Sequence, residues 1–360
     1  MNKVELFVNG KIFGGWNSVS IKKSIKNLSS TFDLGVTDNW SNQRIPWILA
    51  PGDECELKID SVKLITGYID SIDNSISAAS KTISVSGRDK TADFIDCSYA
   101  GAEFKNKNIS VAALARKLAA PFKLTVVKNQ YGLEVVKNLT ISQGETCFEI
   151  LDKASKQFGY LFTSNENSEI IITRPSTLKS TTNIEQGVNL VSGSATFDFS
   201  NRFSEYTVKS QSNDFANEPE LASVVANFQI KQSAKDESLK RYRPFMFVSE
   251  SIANAGQARS RAQWEAKKRA ADASKFKVTV KGWKKADGTL WIPNELVRLK
   301  SVSLGIDDDL LITSIEYNQS NSGTFANMEL ERKDAYLPEP VVKEKGDPFA
   351  SQITKELAGR

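Results

Sequence analysis

Apolar residues recur at every second position in short runs along the whole chain, and only an extended backbone puts such a set on one face. Val4, Leu6 and Val8 alternate with polar neighbours before an Asn9-Gly10 turn. Cys55, Leu57 and Ile59 do the same after Pro51-Gly52-Asp53, and Phe276, Val278 and Val280 alternate cleanly with Lys277, Thr279 and Lys281. Further strands are expected at Val19 and Ile21, over 64–72, at Ile83 and Val85, and from Ala195 to Phe199. Tyr206 and Val208, and the stretches 296–299, 310–315 and 328–330, add more. Many short strands with turns between them predict small antiparallel barrels or sandwiches.

Helical periodicity interrupts this pattern in three places. Ser110 is a plausible N-cap for Val111, Leu114, Ala115 and Leu118, and Pro121 ends that helix. Thr146 and Glu149 fit a capping box, with Gly159 as the terminator. A long helix is expected from Ser251 to Ser274, with Ile252, Ala255, Ala262, Ala266 and Ala270 as a small-residue stripe. The fold class expected is therefore α+β, β-rich and multidomain. Residues 1–95 are expected to form a first β-barrel and 96–190 an α/β domain with two helices. Residues 191–335 would form a second barrel carrying an inserted helical α/β segment at about 213–274, and 336–360 an extended tail.

The two barrel regions echo each other. Pro51 precedes Leu57-Lys58 as Pro293 precedes Leu299-Lys300. Leu64-Ile65-Thr66 then matches Leu311-Ile312-Thr313, and Gly87-Arg88-Asp89-Lys90 matches Glu331-Arg332-Lys333-Asp334. An insertion containing Asp307-Asp308-Asp309 is expected to absorb the difference in spacing. Two similar barrels per chain would let a trimer present six near-equivalent surfaces around one axis.

The chain has no histidine, which removes Ser-His-Asp triads, Cys-His pairs and histidine-based zinc or iron sites. The three cysteines form no CxxC and are expected to be buried thiols. A net charge of +4 permits contact with nucleic acid without demanding it. No apolar run approaches the roughly 20 residues of a membrane-spanning helix, and no secretory leader is expected at the N-terminus.

Longer ordered motifs carry a family resemblance. They are Val85-Ser86-Gly87-Arg88-Asp89-Lys90-Thr91-Ala92-Asp93-Phe94-Ile95-Asp96-Cys97-Ser98, then Arg241-Tyr242-Arg243-Pro244, and Arg261-Ala262-Gln263-Trp264-Glu265 continuing through Arg269 to Ala271. Val280-Lys281-Gly282-Trp283 leads through to Trp291-Ile292-Pro293-Asn294, and Asp334-Ala335-Tyr336 closes the set. In these the chain resembles the Mu-type phage baseplate hub proteins. Their wider group takes in the T-even hub, the late control protein D family and the hub portion of type VI secretion spikes. Asp93-Phe94-Ile95-Asp96 stands where the family pattern reads Asp-Leu-Val-Asp. The resemblance implies a homotrimeric ring between the tail tube or tape-measure proteins and a central spike, with phage DNA passing through the lumen without sequence-specific binding. It implies a place in the virion tail baseplate, assembly in the bacterial host cytoplasm, and no catalytic, cofactor or metal residues in the hub portion.

Each residue group has a sharper reading to weigh. Arg88, Asp89, Asp93 and Asp96 could be a carboxylate pair of a cell-wall polysaccharide hydrolase, but at a strand end Asp caps backbone N–H groups and pairs with Arg. Asp307–Asp309 could hold calcium, yet lacks a loop's ligand alternation and reads as a solvated hairpin tip. Arg259, Arg261, Lys267, Lys268 and Arg269 spread around their helix and do not form a phosphate-tracking stripe, which disfavours a DNA-binding adaptor. Trp264, Trp283 and Trp291 read as core or interface anchors in preference to stacking platforms. Membership of a type VI or tailocin spike remains an alternative context for the same fold.

Overall fold

The computed structural model describes residues 2–38, 49–76, 81–101, 108–137, 139–211, 229–249 and 255–340. The first strands are β1 (Val4–Val8), β2 (Lys11–Phe13), β3 (Ser18–Ser24), β4 (Thr31–Asp38), β5 (Glu54–Ile59), β6 (Val62–Ile76) and β7 (Lys81–Asp89). A short helix α1 (Ala92–Asp96) follows, then β8 (Asn108–Ser110), α2 (Val111–Ala119), β9 (Val135–Lys137), α3 (Cys147–Ser155), β10 (Leu161–Ser164) and β11 (Ile170–Thr173). The chain continues through β12 (Ile184–Glu185), β13 (Leu190–Phe197), β14 (Glu205–Gln211), β15 (Gln229–Lys235), β16 (Pro244–Val248) and α4 (Ala255–Asp272). It ends in β17 (Ser274–Lys281), β18 (Leu296–Ser301), β19 (Ile306–Ser320) and β20 (Gly323–Glu331). The molecule is α+β and rich in strand.

Both expected caps form. The Ser110 side chain accepts the Ala113 N–H at 3.3 Å. Thr146 and Glu149 exchange both bonds of the capping box, at 2.8 and 3.2 Å. Reciprocal capping removes two of the unpaired donors at a helix start, so a short sequence signal suffices to fix it.

Two compact units appear. The first joins Met1–Lys156, Tyr160–Ala195 and Phe276–Glu331. Its core draws Leu6, Ile21, Phe32, Leu34, Leu57 and Val85 from the early strands, and Phe276, Val278, Leu299, Ile315, Tyr317 and Met328 from the late ones. The alternating positions at Leu6, Leu57 and Phe276 are thus inward ones, whereas Phe197 and Phe199, also expected on a strand, are exposed and Phe199 lies beyond β13.

In that unit a six-strand pattern occurs twice. One large sheet runs β3-β4-β7-β6-β5-β1 on one side and β13-β17-β20-β19-β18-β12 on the other, joined where β19 pairs with β3. In each copy the three-stranded meander has strands of six, fifteen and nine residues. The match extends to single hydrogen bonds. Gly52 donates to Ile69 O at 2.7 Å and Ile69 donates to Asp53 O at 3.0 Å; Asn294 donates to Ile312 O at 2.9 Å and Ile312 to Glu295 O at 2.9 Å. Gly52 and Asn294 both have positive φ, 91° and 65°. The long strands also carry the same β-bulge: Ile69 faces Gly87 and Ser71 faces Ser86, as Ile312 faces Leu330 and Ser314 faces Glu329. Asp70 and Thr313 are the extra residues. The copies differ at their last strand, since β1 meets β5 antiparallel and β12 meets β18 parallel.

This register corrects part of the expected repeat. Pro51 and Leu57-Lys58 do match Pro293 and Leu299-Lys300. Leu311-Ile312-Thr313, however, corresponds to Tyr68-Ile69-Asp70 and not to Leu64-Ile65-Thr66, and the Arg88 position corresponds to Glu331. Asp307–Asp309 is neither an insertion nor a hairpin tip. It lies in β19, where Asp307, Asp308 and Asp309 face Lys300, Leu299 and Arg298. The tips are Asp60-Ser61, both at positive φ (48° and 70°), in the first copy and residues 302–305 in the second. The acidic run is tolerated on a strand because Arg298 and Lys179 neutralise Asp307 and Asp309 at 2.8 and 2.5 Å.

The second unit comprises Gln157–Gly159, Thr196–Lys275 and the chain from Arg332. Its small sheet has β14 at the centre, antiparallel to β15 and parallel to β16. Helix α4 packs on β14 and β15 through Ala258 and Ala262. Small side chains let a helix approach a sheet closely, which accounts for the alanine stripe. Its members are Ala258, Ala262 and Ala266; Ala255 is exposed, Ala270 only partly buried, and Ile252 lies outside the described residues.

Candidate functional site

The motif residues fall in three places. Gly87, Arg88, Asp89, Asp93 and Asp96 gather where β7 turns into α1; Arg88, Asp89 and Asp93 line a cleft there with Gly52, Tyr68, Asp70 and Ala92. Gly87 faces Phe32 across the ladder, and a Cβ there would stand 2.3 Å from Tyr68 O and 2.6 Å from the Phe32 ring. Only glycine fits.

Asp89 is 1% exposed and saturated with donors. Its carboxylate accepts Ser30 N at 2.8 Å, Thr91 N at 3.0 Å, Ser29 Oγ at 3.0 Å, and Thr91 Oγ1 and Ser164 Oγ at 2.5 Å each. Such a group ties β4, β7, α1 and β10 together. The half-buried Lys23 ammonium donates to Leu64 O at 3.1 Å. Burial lowers its pKa, partly offset by the negative charges of Asp89 and Glu166. Arg88 points away from Asp89 and bridges Asp70 (2.6 Å) and Asp96 (2.8 Å). These two bonds, the one to Asp70 foremost, raise the guanidinium's affinity for its proton. Asp93 opens α1, and its carbonyl accepts Cys97 N at 3.0 Å. The turn is therefore built from capping and ion pairing: it fastens strands to a helix and leaves each of Asp70, Asp89 and Asp96 engaged.

The second group lies in the smaller unit. Arg241 and Tyr242 are exposed, Tyr242 at 85%. Arg243 donates to Ser200 O at 2.7 Å and covers the Phe203 ring at 5.1 Å, and Pro244 starts the edge strand β16. From α4, Arg269 sits 4.4 Å from the Phe245 centroid and donates to Glu265 at 2.6 Å. Arg261 covers Trp264 at 4.4 Å, and Trp264 donates to Leu337 O at 3.0 Å. Phe203 stacks on Phe245 at 4.8 Å. Composition alone shows here a charged helix with an alanine stripe and does not show this Arg–aromatic layer. The signal available was the four-residue and eight-residue spacing of Arg261, Glu265 and Arg269 opposite an aromatic edge strand.

The third group, Gly282, Trp283 and Trp291, lies between β17 and β18. Gly282 takes φ +77° to leave the strand. Trp283 and Trp291 are each 1% exposed. Trp283 Nε1 donates to Phe325 O at 2.9 Å, its ring meets Tyr317 edge-on at 5.9 Å, and the Tyr317 hydroxyl donates to Trp291 O. Both are core anchors.

Of the cysteines, Cys55 and Cys147 are buried and Cys97 is exposed, against the expectation of three buried thiols. Burial pushes the Cys55 thiol up to about 12. Among the described residues no group of three His, Cys, Asp or Glu side chains could hold a metal, and no helix is long and apolar enough to cross a membrane. The surface features left over are sheet edges. β13 ends the large sheet with mostly exposed side chains, Val191 and Phe197 at 54% each, and Ile76 on β6 is 79% exposed.

Family models match three stretches of the chain. Residues 3–89 match the N-terminal domain of Mu phage baseplate assembly protein GpP-like proteins. Residues 91–174 match the second domain of baseplate hub protein gp44-like proteins, and 254–339 the fourth domain of Mu phage baseplate assembly protein GpP. The chain is 35% identical over 318 residues to baseplate hub protein gp44 of Escherichia phage Mu, covering 87% of this chain and 83% of that one. Among solved structures, it resembles the 43 kDa tail protein of prophage MuSo2 from Shewanella oneidensis with a TM-score of 0.78 and 32% identity, over 93% of this chain and 99% of that one. A tail protein from Neisseria meningitidis MC58 shares the fold with a TM-score of 0.73 at 24% identity, over 94% and 98% of the two chains.

Proposed function

The chain belongs to the Mu-type baseplate hub family and is a structural baseplate hub protein; on that footing we propose that it works by geometry, as a homotrimeric ring with no catalytic role. Each protomer contributes two barrel-type domains, 1–95 and 191–335, the second interrupted at about 213–274. An α/β domain over 96–190 and the tail from 336 complete it. Three protomers present six near-equivalent modules, which lets a six-fold tail tube meet a three-fold central spike. Phage DNA passes through the lumen without sequence-specific contact, and the ring assembles in the bacterial host cytoplasm before joining the virion tail.

The observation that supports this reading best is the duplicated strand order, with its shared bulge and paired hydrogen bonds. The state of the β7–α1 turn supports the absence of catalysis. Asp70 and Asp96 are occupied by Arg88, and Asp89 by backbone and hydroxyl donors, whereas a hydrolytic pair needs one carboxyl free to carry a proton. Light scattering of the purified chain should give a mass of three protomers, and negative-stain images a ring with a central hole. A one-chain mass at micromolar concentration would refute the trimer; clearing of cell-wall substrate by the pure protein would refute the absence of catalysis.

A further inference from the structure

The two copies match along the second and third strands of their meanders, but they do not have the same neighbours. In the second copy, Ser314–Gln319 of β19 carries β20 on one edge and β3 on the other, with Ile315 facing Lys23, Tyr317 facing Ile21 and Gln319 facing Val19. Tyr317 and Ile21 are both fully buried there. The shared bulge places Ser314–Gln319 on Ser71–Ile76 of β6. That span carries β7 on one edge, and among the described residues no strand on the other. In the same sheet order the counterpart of β3 is β13. It carries β17 on one edge and, among the described residues, no strand on the other. One copy of the chain therefore holds both halves of a joint it has already made once with its other halves.

We infer that Ser71–Ile76 of one protomer pairs antiparallel with β13 of the next, repeating between chains the β19–β3 joint made within each chain. A second copy of this chain fits the edge for three reasons. Extended edges with unpaired N–H and C=O groups accept another strand. The exposed Ile76 and Val191 gain cover of the kind that Ile21 and Tyr317 have inside the chain. And one joint used alternately within and between protomers would place six such joints in a ring of three chains. The inference rests on the trimeric reading and names the surface that makes it.

The test uses the full chain with Cys97→Ser, so that no exposed native thiol competes. Ser75→Cys is combined with Ser192→Cys or with Ser194→Cys, bracketing neighbouring registers, and each protein is oxidised at a concentration where its mass is measured by light scattering. The expected result is covalent dimer and closed trimer from one of the two combinations and none from either cysteine alone. A three-chain mass with no cross-link from either combination would overturn the edge pairing and leave the trimer standing. A one-chain mass would remove both. Hydrogen exchange on the unmodified chain gives an independent reading. Amides of 71–76 and 190–197 should be protected in the assembled state and lose that protection on dilution to protomers; the same rapid exchange in both states would count against the joint.

Discussion

At the scale of single residues, the chain spends its strongest polar chemistry on holding its own turns. Asp89 accepts five hydrogen bonds while buried. Asp89→Ala leaves five donors without their acceptor and should cost about 3–5 kcal/mol, read as a lower midpoint of denaturant unfolding. Asp60 offers a milder case. It accepts Lys284 Nζ and Lys3 N at 2.7 Å each, and the Lys284 bond first, then that to Lys3, holds its carboxyl below the usual range. A carboxyl with a depressed folded pKa contributes stability above its unfolded value, near 3.9, and loses it as pH falls through the folded one. Asp60→Asn, which tolerates the positive φ, should flatten the stability profile below about pH 4. At neutral pH it should cost under about 1 kcal/mol, because both side chains are partly exposed. Equilibrium unfolding from pH 2 to 7 would show it. The Asp89 motif was legible as a capping and pairing turn, since Asp at a strand end has few other uses. Which aspartate pairs with Arg88 was not legible, because Asp70 lies on the neighbouring strand.

At the scale of elements, local signals were read correctly and long-range ones in part. The Thr146–Glu149 box depends on four consecutive residues, so it could be found without the fold. Thr146→Ala should cost about 1 kcal/mol and lower the thermal midpoint by a few degrees. The strand alternation around Phe276 and Leu57 was equally clear, because one face is buried. Asp307–Asp309 misled the reading. Three consecutive acids look like a turn until a partner strand supplies Arg298 and Lys300 opposite them. The charged helix misled it differently. Arg261 and Arg269 look solvated by composition, and only the aromatic strand β16 and the rings around it show that their planar faces are covered. The exposed thiol of Cys97 had no sequence signal.

For the whole molecule, duplication was visible as a faint order of landmarks, and the coordinates turn it into equivalence at single hydrogen bonds. Side chains along the two meanders have diverged so far that Asn74 corresponds to Tyr317 and Gly87 to Leu330, which is why the landmark match slipped by a residue or more. Backbone geometry diverges more slowly than side chains because strand lengths and ladder bonds constrain it from both edges. An assembled ring also has a thermodynamic signature. If protomers stabilise one another, the unfolding midpoint should rise with protein concentration, by an amount set by mass action. Calorimetric scans over a hundredfold concentration range check this, and a constant midpoint would mean that assembly adds nothing to folding.

Asp70 and Thr313 stand at matching points of the two copies. Each is the surplus residue in a ladder that is otherwise continuous on both sides. Deleting either would leave Ile69 and Ile72, or Ile312 and Ile315, still pointing inward and every later rung unchanged. The hydrophobic interior would be spared; lost with the surplus would be its local bend and coiling, together with the Asp70–Arg88 ion pair or the bonds of Thr313 with Ile25, Ser24 and Glu329. A shortened chain should thus remain folded with a flatter wall and, on the proposed trimeric reading, should give a one-chain mass by light scattering. A surplus residue of this kind bends and coils its strand, an effect that a list of contacts does not record.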